Sequence, residues 1–451
     1  MKTTIIIISA LIAGAPVAAA QSLTFGGLGD APVEITPDAS TGLQRIYVAD
    51  NLGGATISYR PVNGGSFAWQ KYDSRGGGFA TDVTGMTHSD GTYSITSDGV
   101  DTGYIITDGG RTYCFWVTNY ANHQLRLDAL AIDAEQSACD RTVLSLDGNA
   151  EAITYFTING RPMTLSRELT LNYRTLVFAE DMWQQQTQTQ TLASAGTHIS
   201  VTAPLCDTDF SLAGDRFLAA WGRAQEVVSP SYTTVAVSAE TKAEQVAHDA
   251  DNESTDSESG DLGGSAPCEI TFTAFPTDAA VFREWQFSLT EEFEDVRDRF
   301  NEDVITRTFT DEGTLYARYV CADASGACTF EGPVYTIAIG ASQLKIPNAF
   351  SPRNQDGIND EWKVSYTSII SFECDIFNRW GQRMAHLSHP SQGWDGRHGG
   401  KLVPAGVYFY VIRAKGSDGK TYNKAGDINI IDSRRGTGGT PSPDGGGLAT
   451  E

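Results

Sequence analysis

The sequence predicts an all-β chain, tandem antiparallel β-sandwiches followed by a smaller antiparallel β-sandwich near the C-terminal end. Three observations carry this. Short stretches alternate apolar and polar residues with period two, as a strand with one buried face requires. Forty-six Gly, with many Thr, Ser and Tyr, supply turns and β-prone positions. Two phrases also recur: an aromatic leading to Trp (Phe67 to Trp69, Phe217 to Trp221, Phe282 to Trp285) and a Gly-led turn entering a strand (Gly110 to Tyr113, Gly196 to Ile199, Gly313 to Tyr316).

Residues 1–20 read as a secretory signal peptide. Lys2, the apolar run Thr4 to Ala13 and the small residues Ala18-Ala19-Ala20 supply its three regions. Gln21 stands after the expected cut where a lipoprotein needs Cys. No later stretch reaches the ~18 apolar residues of a membrane span. The mature chain is therefore expected to be exported, soluble or peripherally associated with the outer membrane, without a transmembrane segment.

Residues 21–134 are expected to form a first sandwich, with strands at Arg45–Ala49, Ala55–Tyr59, Phe67–Tyr72 and Thr112–Tyr120. Residues 135–239 form a second, one sandwich or two incomplete ones, in which the polar run Gln184–Thr191 is an exposed edge strand or loop. Residues 240–265 are an acidic linker or a disordered loop, since Glu240 to Asp261 holds eight acids against one Lys and cannot bury a core. Residues 266–340 form a third sandwich, with strands Glu269–Phe275, Val281–Ser288, Val304–Phe309, Thr314–Ala322 and Pro333–Ile339. The segment Glu291 to Asp303 between them has Phe293, Val296 and Phe300 at helical spacing and reads as a short solvated helix. In an immunoglobulin-like sandwich a central-strand Trp packs against the strand that follows such a Gly-led turn. On those two features the tandem units resemble immunoglobulin-like sandwiches, and 266–340 resembles the polycystic-kidney-disease (PKD) type.

The formal net charge is −24. Nucleic acid and anionic lipid surfaces would repel such a chain, so neither is an expected partner. The acidity lies N-terminal: residues 344–432 hold eleven Lys or Arg against nine Asp or Glu, a net of +2. Seven cysteines leave at least one thiol unpaired. Cys321 and Cys328 have the spacing of neighbouring strands joined by a short turn and are a possible disulfide. No zinc spacing, HExxH, GxSxG or phosphate loop occurs, and His386, His389 and His398 read as solvated loop residues. The sequence therefore gives no catalytic, cofactor-binding or metal-binding residues, and a non-enzymatic protein without cofactors is expected.

The C-terminal segment carries the functional information. Pro347, Asn348, Phe350 and Pro352 mark an extended lead-in, and Asp356, Gly357, Asn359, Asp360 and Trp362 a tight polar turn with Gly357 at positive φ. Phe372–Phe377 alternates and ends in Asn378-Arg379-Trp380-Gly381. Another turn follows at Trp394-Asp395-Gly396. Gly406 then leads into Val407 to Ile412, which includes Tyr408 and is apolar on both faces, hence central. Trp380 and Trp394 beside turn glycines serve either as core filling or as docking anchors, and Arg379 is expected to be exposed.

This ordered series closely resembles the gliding-motility-associated C-terminal domain, the type B sorting domain of the type IX secretion system, over about residues 346–432. The turn Arg353 to Gly357 is one residue longer than the family's usual form, and the Gly- and Pro-rich tail 433–451, expected to be disordered, continues past the last strand. The resemblance implies export followed by engagement of an outer-membrane β-barrel of the PorP/SprF type and other type IX secretion components. It implies an outer-membrane-associated, cell-surface or extracellular protein. Two roles follow: an adaptor or component of the secretion and gliding apparatus acting by protein–protein contact, or a secreted surface adhesin or binding module for a glycan or host protein.

Overall fold

The computed structural model describes residues 22–62, 66–74, 77–254, 262–353 and 356–431, so the expected signal peptide and C-terminal tail lie outside the described residues. The chain is nearly all β and forms two compact units: residues up to Val177 with Gln185–Thr234, and Phe178–Gln184 with Val235 onward.

In the first unit, a four-stranded sheet (Thr24–Gly26, Thr56–Tyr59, Thr92–Thr96, Thr87–Ser89) packs on a six-stranded sheet. The order of the latter is Val33–Ile35, Arg45–Ala49, Arg111–Asn119, Thr102–Asp108, Phe67–Tyr72 and Thr81–Asp82. Period-two alternation sends Tyr47, Trp69, Phe115 and Val117 into the core between them. The intervening residues Ile46, Val48, Cys114 and Trp116 point the other way, into a second core with Leu144, Leu171, Phe210 and Phe217. The six-stranded sheet is thus buried on both faces, and the first two expected sandwiches share packing across 134/135. One continuous core spans that boundary because the strand Arg111–Asn119 is apolar on both sides.

The second sandwich is single. It pairs the sheet Arg126–Ile132, Arg141–Asn149, His198–Thr202 with the sheet Met182–Leu192, Leu169–Ala179, Ser211–Gly214, Gln225–Val228. The phrase from Phe217 to Trp221, expected on a strand, forms the helix Arg216–Ala220 instead, because Asp215 caps it by accepting from the Leu218 N–H at 2.9 Å. Asp215 also meets Arg167 at 2.6 Å, and the two side chains are 0% and 1% exposed. Their remaining groups are satisfied: Tyr120 Oη donates to Asp215 at 3.0 Å, and Arg167 donates to the Glu151 and His123 carbonyls at 2.6 Å each.

In the second unit, the sheet Ala239–Gln245, Cys268–Pro276, Val304–Phe309 packs on one ordered Leu262–Gly264, Tyr335–Ile339, Gly313–Ala322, Phe282–Ser288, Val296–Phe300. Trp285, fully buried, lies 5.2 Å from the Tyr319 ring on the strand after the Gly-led turn, the packing expected of it. Two expectations are corrected here. Segment 291–303 is no helix: Phe293 takes φ 59°, and Val296–Phe300 pairs with Phe282–Ser288, so the apolar spacing serves a turn and an edge strand. Cys321 is free and 2% exposed. Its register partner is Phe330, not Cys328, so the expected Cys321–Cys328 disulfide does not form.

The expected acidic linker is also largely ordered. Ala239–Gln245 pairs antiparallel with Cys268–Pro276, and residues 251–254 lie along the C-terminal sandwich. Ser254 N–H donates to the Tyr366 carbonyl at 2.9 Å, and the Asn252 amide donates to the Val364 and Pro390 carbonyls at 2.7 and 2.8 Å. Asp251 pairs with Lys363 at 3.2 Å, and Glu253 accepts from Ser265 and Tyr366 hydroxyls. Net charge misled because Asp251 and Glu253 have matched donors, which composition does not count. Residues 255–261 of that stretch lie outside the described residues.

The C-terminal sandwich is built on a five-stranded sheet ordered Ala349–Phe350, Thr421–Ile430, Gly406–Gly416, Ile369–Phe377, Arg383–Leu387. Its core includes Phe350, Trp362, Ile376, Trp394, Ile412 and Ile428. The strand Gly406–Gly416 is central, as expected, but only one face is buried. Val407, Phe409 and Val411 are 49, 44 and 42% exposed on the other.

Candidate functional site

The motif residues of the C-terminal sandwich divide into a buried set that builds the fold and an exposed set that projects from it. Asn348 O accepts from the Asn429 N–H at 2.8 Å, which aligns Ala349–Phe350 parallel to the last strand. Pro347 O accepts from Trp362 Nε1 at 2.7 Å. Trp362 and Trp394, 0% and 2% exposed, exchange backbone hydrogen bonds of 2.9 and 3.0 Å. Trp394 packs on Phe350 and on Tyr408, whose hydroxyl donates to the Pro404 carbonyl at 3.0 Å. Trp394 is thus core.

The polar turn is held by its own side chains. Gly357 takes φ 83°, Asp356 accepts from the Ile358 N–H, and Asp360 from the Gly357 N–H, each at 2.9 Å. Asn359 O accepts from Ser351 N–H at 2.8 Å, tying the turn back to Pro352. Gly396 is required sterically: it sits at φ 72°, and a Cβ there would stand 2.9 Å from Pro352 Cγ. The Asp395 carboxylate accepts from the Arg397 N–H at 3.0 Å and closes the neighbouring turn.

The exposed set begins at Asn378. Its Oδ1 accepts from the N–H groups of Trp380 and Gln382, both at 3.0 Å, and Gly381 takes φ 77°. This turn joins the strands Ile369–Phe377 and Arg383–Leu387 and throws Arg379 and Trp380 outward. Trp380 is 76% exposed, and the Arg379 guanidinium lies 4.4 Å from its ring centroid. Opposite stands the segment from Lys401 through Gly406 (φ 144°) to Phe409. The cleft between them has a volume of about 480 Å³, and among the described residues no carboxylate lines it, whereas Arg379 and Lys401 do.

The cleft opens beside the exposed face of the central strand. Phe409 is the register partner of Phe377, and Val407 and Val411 continue the strip. Sequence reasoning expected Arg379 to be exposed but missed this strip, and it favoured the core over the rim for Trp380, which the 76% exposure of that ring corrects. The signal that separates the two tryptophans is the Asn-Arg-Trp-Gly turn: Asn378 uses its side chain to cap amides at the hairpin tip, where no second layer covers the ring. The site offers an apolar, cation-flanked surface. Among the described residues, no group of three or more His, Cys, Asp or Glu is placed to hold a metal ion. His386, His389 and His398 bond separately to Asp375, Ser391 and the Met384 carbonyl.

Residues 344–430 match the family described as CHU_C Type IX secretion signal domain, and residues 131–229 match the fibronectin type III domain described as Fn3_FA. No curated protein matches the chain in sequence. Among solved structures, the tetra-tandem repeat in the extending region of a large adhesion protein is similar at 13% identity, over 92% of this chain and 100% of that one, with a TM-score of 0.23. The FN1–FN3 domains of chicken CNTN1 are similar at 12% identity over 67% and 98% (TM-score 0.22), and Sidekick-1 immunoglobulin domains 1–5 at 9% over 86% and 78% (TM-score 0.25). The matched families are of non-catalytic kinds. A type IX secretion signal domain implies export to the cell surface or beyond, and association with that secretion system.

Proposed function

We propose that this chain is a non-enzymatic envelope protein that acts by protein–protein contact, an outer-membrane-associated adaptor or component of the type IX secretion and gliding apparatus. Its C-terminal sandwich docks on an outer-membrane β-barrel of the PorP/SprF type. The observation that carries the reading is Trp380: a large ring 76% exposed, stacked under Arg379, at the mouth of a cleft without carboxylates. Interfaces draw most of their energy from a few Trp, Tyr and Arg anchors. A planar guanidinium already held against the ring loses less freedom when it forks onto a partner carboxylate. The motif residues Phe350, Trp362, Trp394, Gly396 and Tyr408 hold the scaffold, and Asn378, Arg379, Trp380 and Gly406 form the contact.

The test is pull-down of the intact protein from solubilised envelopes, alongside fractionation of the producing cells. An adaptor stays with the outer membrane, keeps its C-terminal domain and brings down a β-barrel protein; Trp380→Ala loses that partner while remaining folded. Release into the medium of a chain lacking residues 344–430 would contradict the adaptor role and point to a surface adhesin.

A further inference from the structure

The strand Met182–Leu192 stands at the outer edge of its four-stranded sheet, next to Leu169–Ala179, and residues Gln184–Thr191 are all exposed. A long open edge presents a row of backbone donors and acceptors without partners. Proteins normally blunt such an edge with Lys, Pro, a bulge or inward charge. Met182–Leu192 holds no Lys, no Pro and no charge at all, although the chain is 20% charged. The side chains fall into two rows. Gln184, Gln186, Gln188 and Gln190 share one face, and Gln185, Thr187, Thr189 and Thr191 the other.

We propose that this edge pairs with the same edge of a second copy of the chain, antiparallel, about a two-fold axis at Gln188. In that register Gln188 meets its own copy, Gln186 meets Gln190, Thr187 meets Thr189, and Gln185 meets Thr191. Each pair keeps parity, so neither row is turned to the wrong face. Each is made of groups that both donate and accept, which cross-strand Thr and Gln pairs satisfy mutually. Two four-stranded sheets then become one continuous sheet of eight. Charge explains why copies meet here. With a net charge of −24 two chains repel over most of their surface, whereas this strip carries no charge of its own and is flanked at Gln188–Gln190 by Asp140 and Arg141, whose charges offset. The isologous geometry is closed, so it gives a dimer and not a filament.

The experiment uses the mature full-length protein in sedimentation equilibrium across concentration. The wild type shows a monomer–dimer equilibrium. Gln188→Lys places two like charges face to face at the axis and weakens the dimer at least ~10-fold with an unchanged circular dichroism spectrum. Gln188→Cys is the positive arm: opposed Cβ atoms of a cross-strand pair lie within ~5.5 Å, close enough for mild oxidation to yield an inter-chain disulfide that the wild type does not form. A wild type monomeric throughout would overturn the proposal, as would a Gln188→Lys dimer of undiminished affinity or a Gln188→Cys chain that fails to cross-link.

Discussion

The guanidinium of Arg379 lies 4.4 Å from the ring centroid of Trp380, in a hairpin turn where that ring is 76% exposed. A cation over an indole face is favourable by ~0.5–1 kcal/mol at an exposed site. That energy is small for stability and useful for presentation, since it keeps both side chains in one arrangement before a partner arrives.

Trp380→Ala is therefore expected to lower the unfolding free energy by no more than ~1 kcal/mol, the size of the exposed cation–π contact it removes. Trp394→Ala, which empties a buried site against Phe350 and Tyr408, should cost ~3–5 kcal/mol. Thermal melts of the two variants check the contrast. Equal destabilisation by both would mean that the Trp380 ring is covered.

Arg379→Ala should leave the melt unchanged and weaken co-purification with the envelope partner. Arg379→Lys keeps the charge but loses the planar fork and should rescue only part of the binding. Full rescue by Lys would reduce the role of Arg379 to net charge.

In the first unit, Arg167→Met leaves Asp215 buried without its cation. Removing one member of a buried pair costs ~3–5 kcal/mol, and denaturant titration should show that loss. A variant as stable as wild type would mean that water reaches this pair.

Asp418 accepts from the Ser342 hydroxyl at 2.7 Å, and that hydrogen bond chiefly holds its carboxyl below the ordinary value of 3.8. A depressed carboxylate contributes stability that is present above its unfolded value and is lost as pH falls through the folded one. Melts between pH 5 and 3 should fall more steeply for wild type than for Asp418→Asn. Parallel profiles would remove this carboxylate from the acid response.

Burial pushes the thiols of Cys114, Cys268 and Cys321 up to about 11 and that of Cys374 to about 12. At pH 8 they are thiols, shielded from solvent, so iodoacetamide should label these four only after denaturation. Rapid native labelling of Cys321 would show that the third sandwich opens readily.

Much of this architecture was legible in the sequence because period-two alternation is local. Arg45–Ala49, Phe67–Tyr72 and Val304–Phe309 are strands with the expected bounds, and Gly357 stands at positive φ where the polar turn called for it. What escaped depends on partners distant in sequence. Glu240 to Glu253 looked unable to fold until Lys363, Tyr366 and the strand Cys268–Pro276 were beside it. The shared core of the first unit needs Tyr120 and Phe217 to meet across about a hundred residues. Trp380 and Trp394 are alike in sequence, each followed by a turn glycine within two residues. Only the absence of a covering layer over the hairpin tip leaves Trp380 exposed.

The most direct measurement replaces Trp380 with a photo-crosslinking residue, p-benzoylphenylalanine, in the full-length chain in producing cells. The same substitution at exposed Phe282 of the third sandwich serves as control. Illumination should join position 380, and not position 282, to an outer-membrane β-barrel identified by mass spectrometry, with the adduct reduced by Arg379→Ala. A barrel adduct from position 282 with none from position 380 would contradict the account and move the contact off the C-terminal cleft.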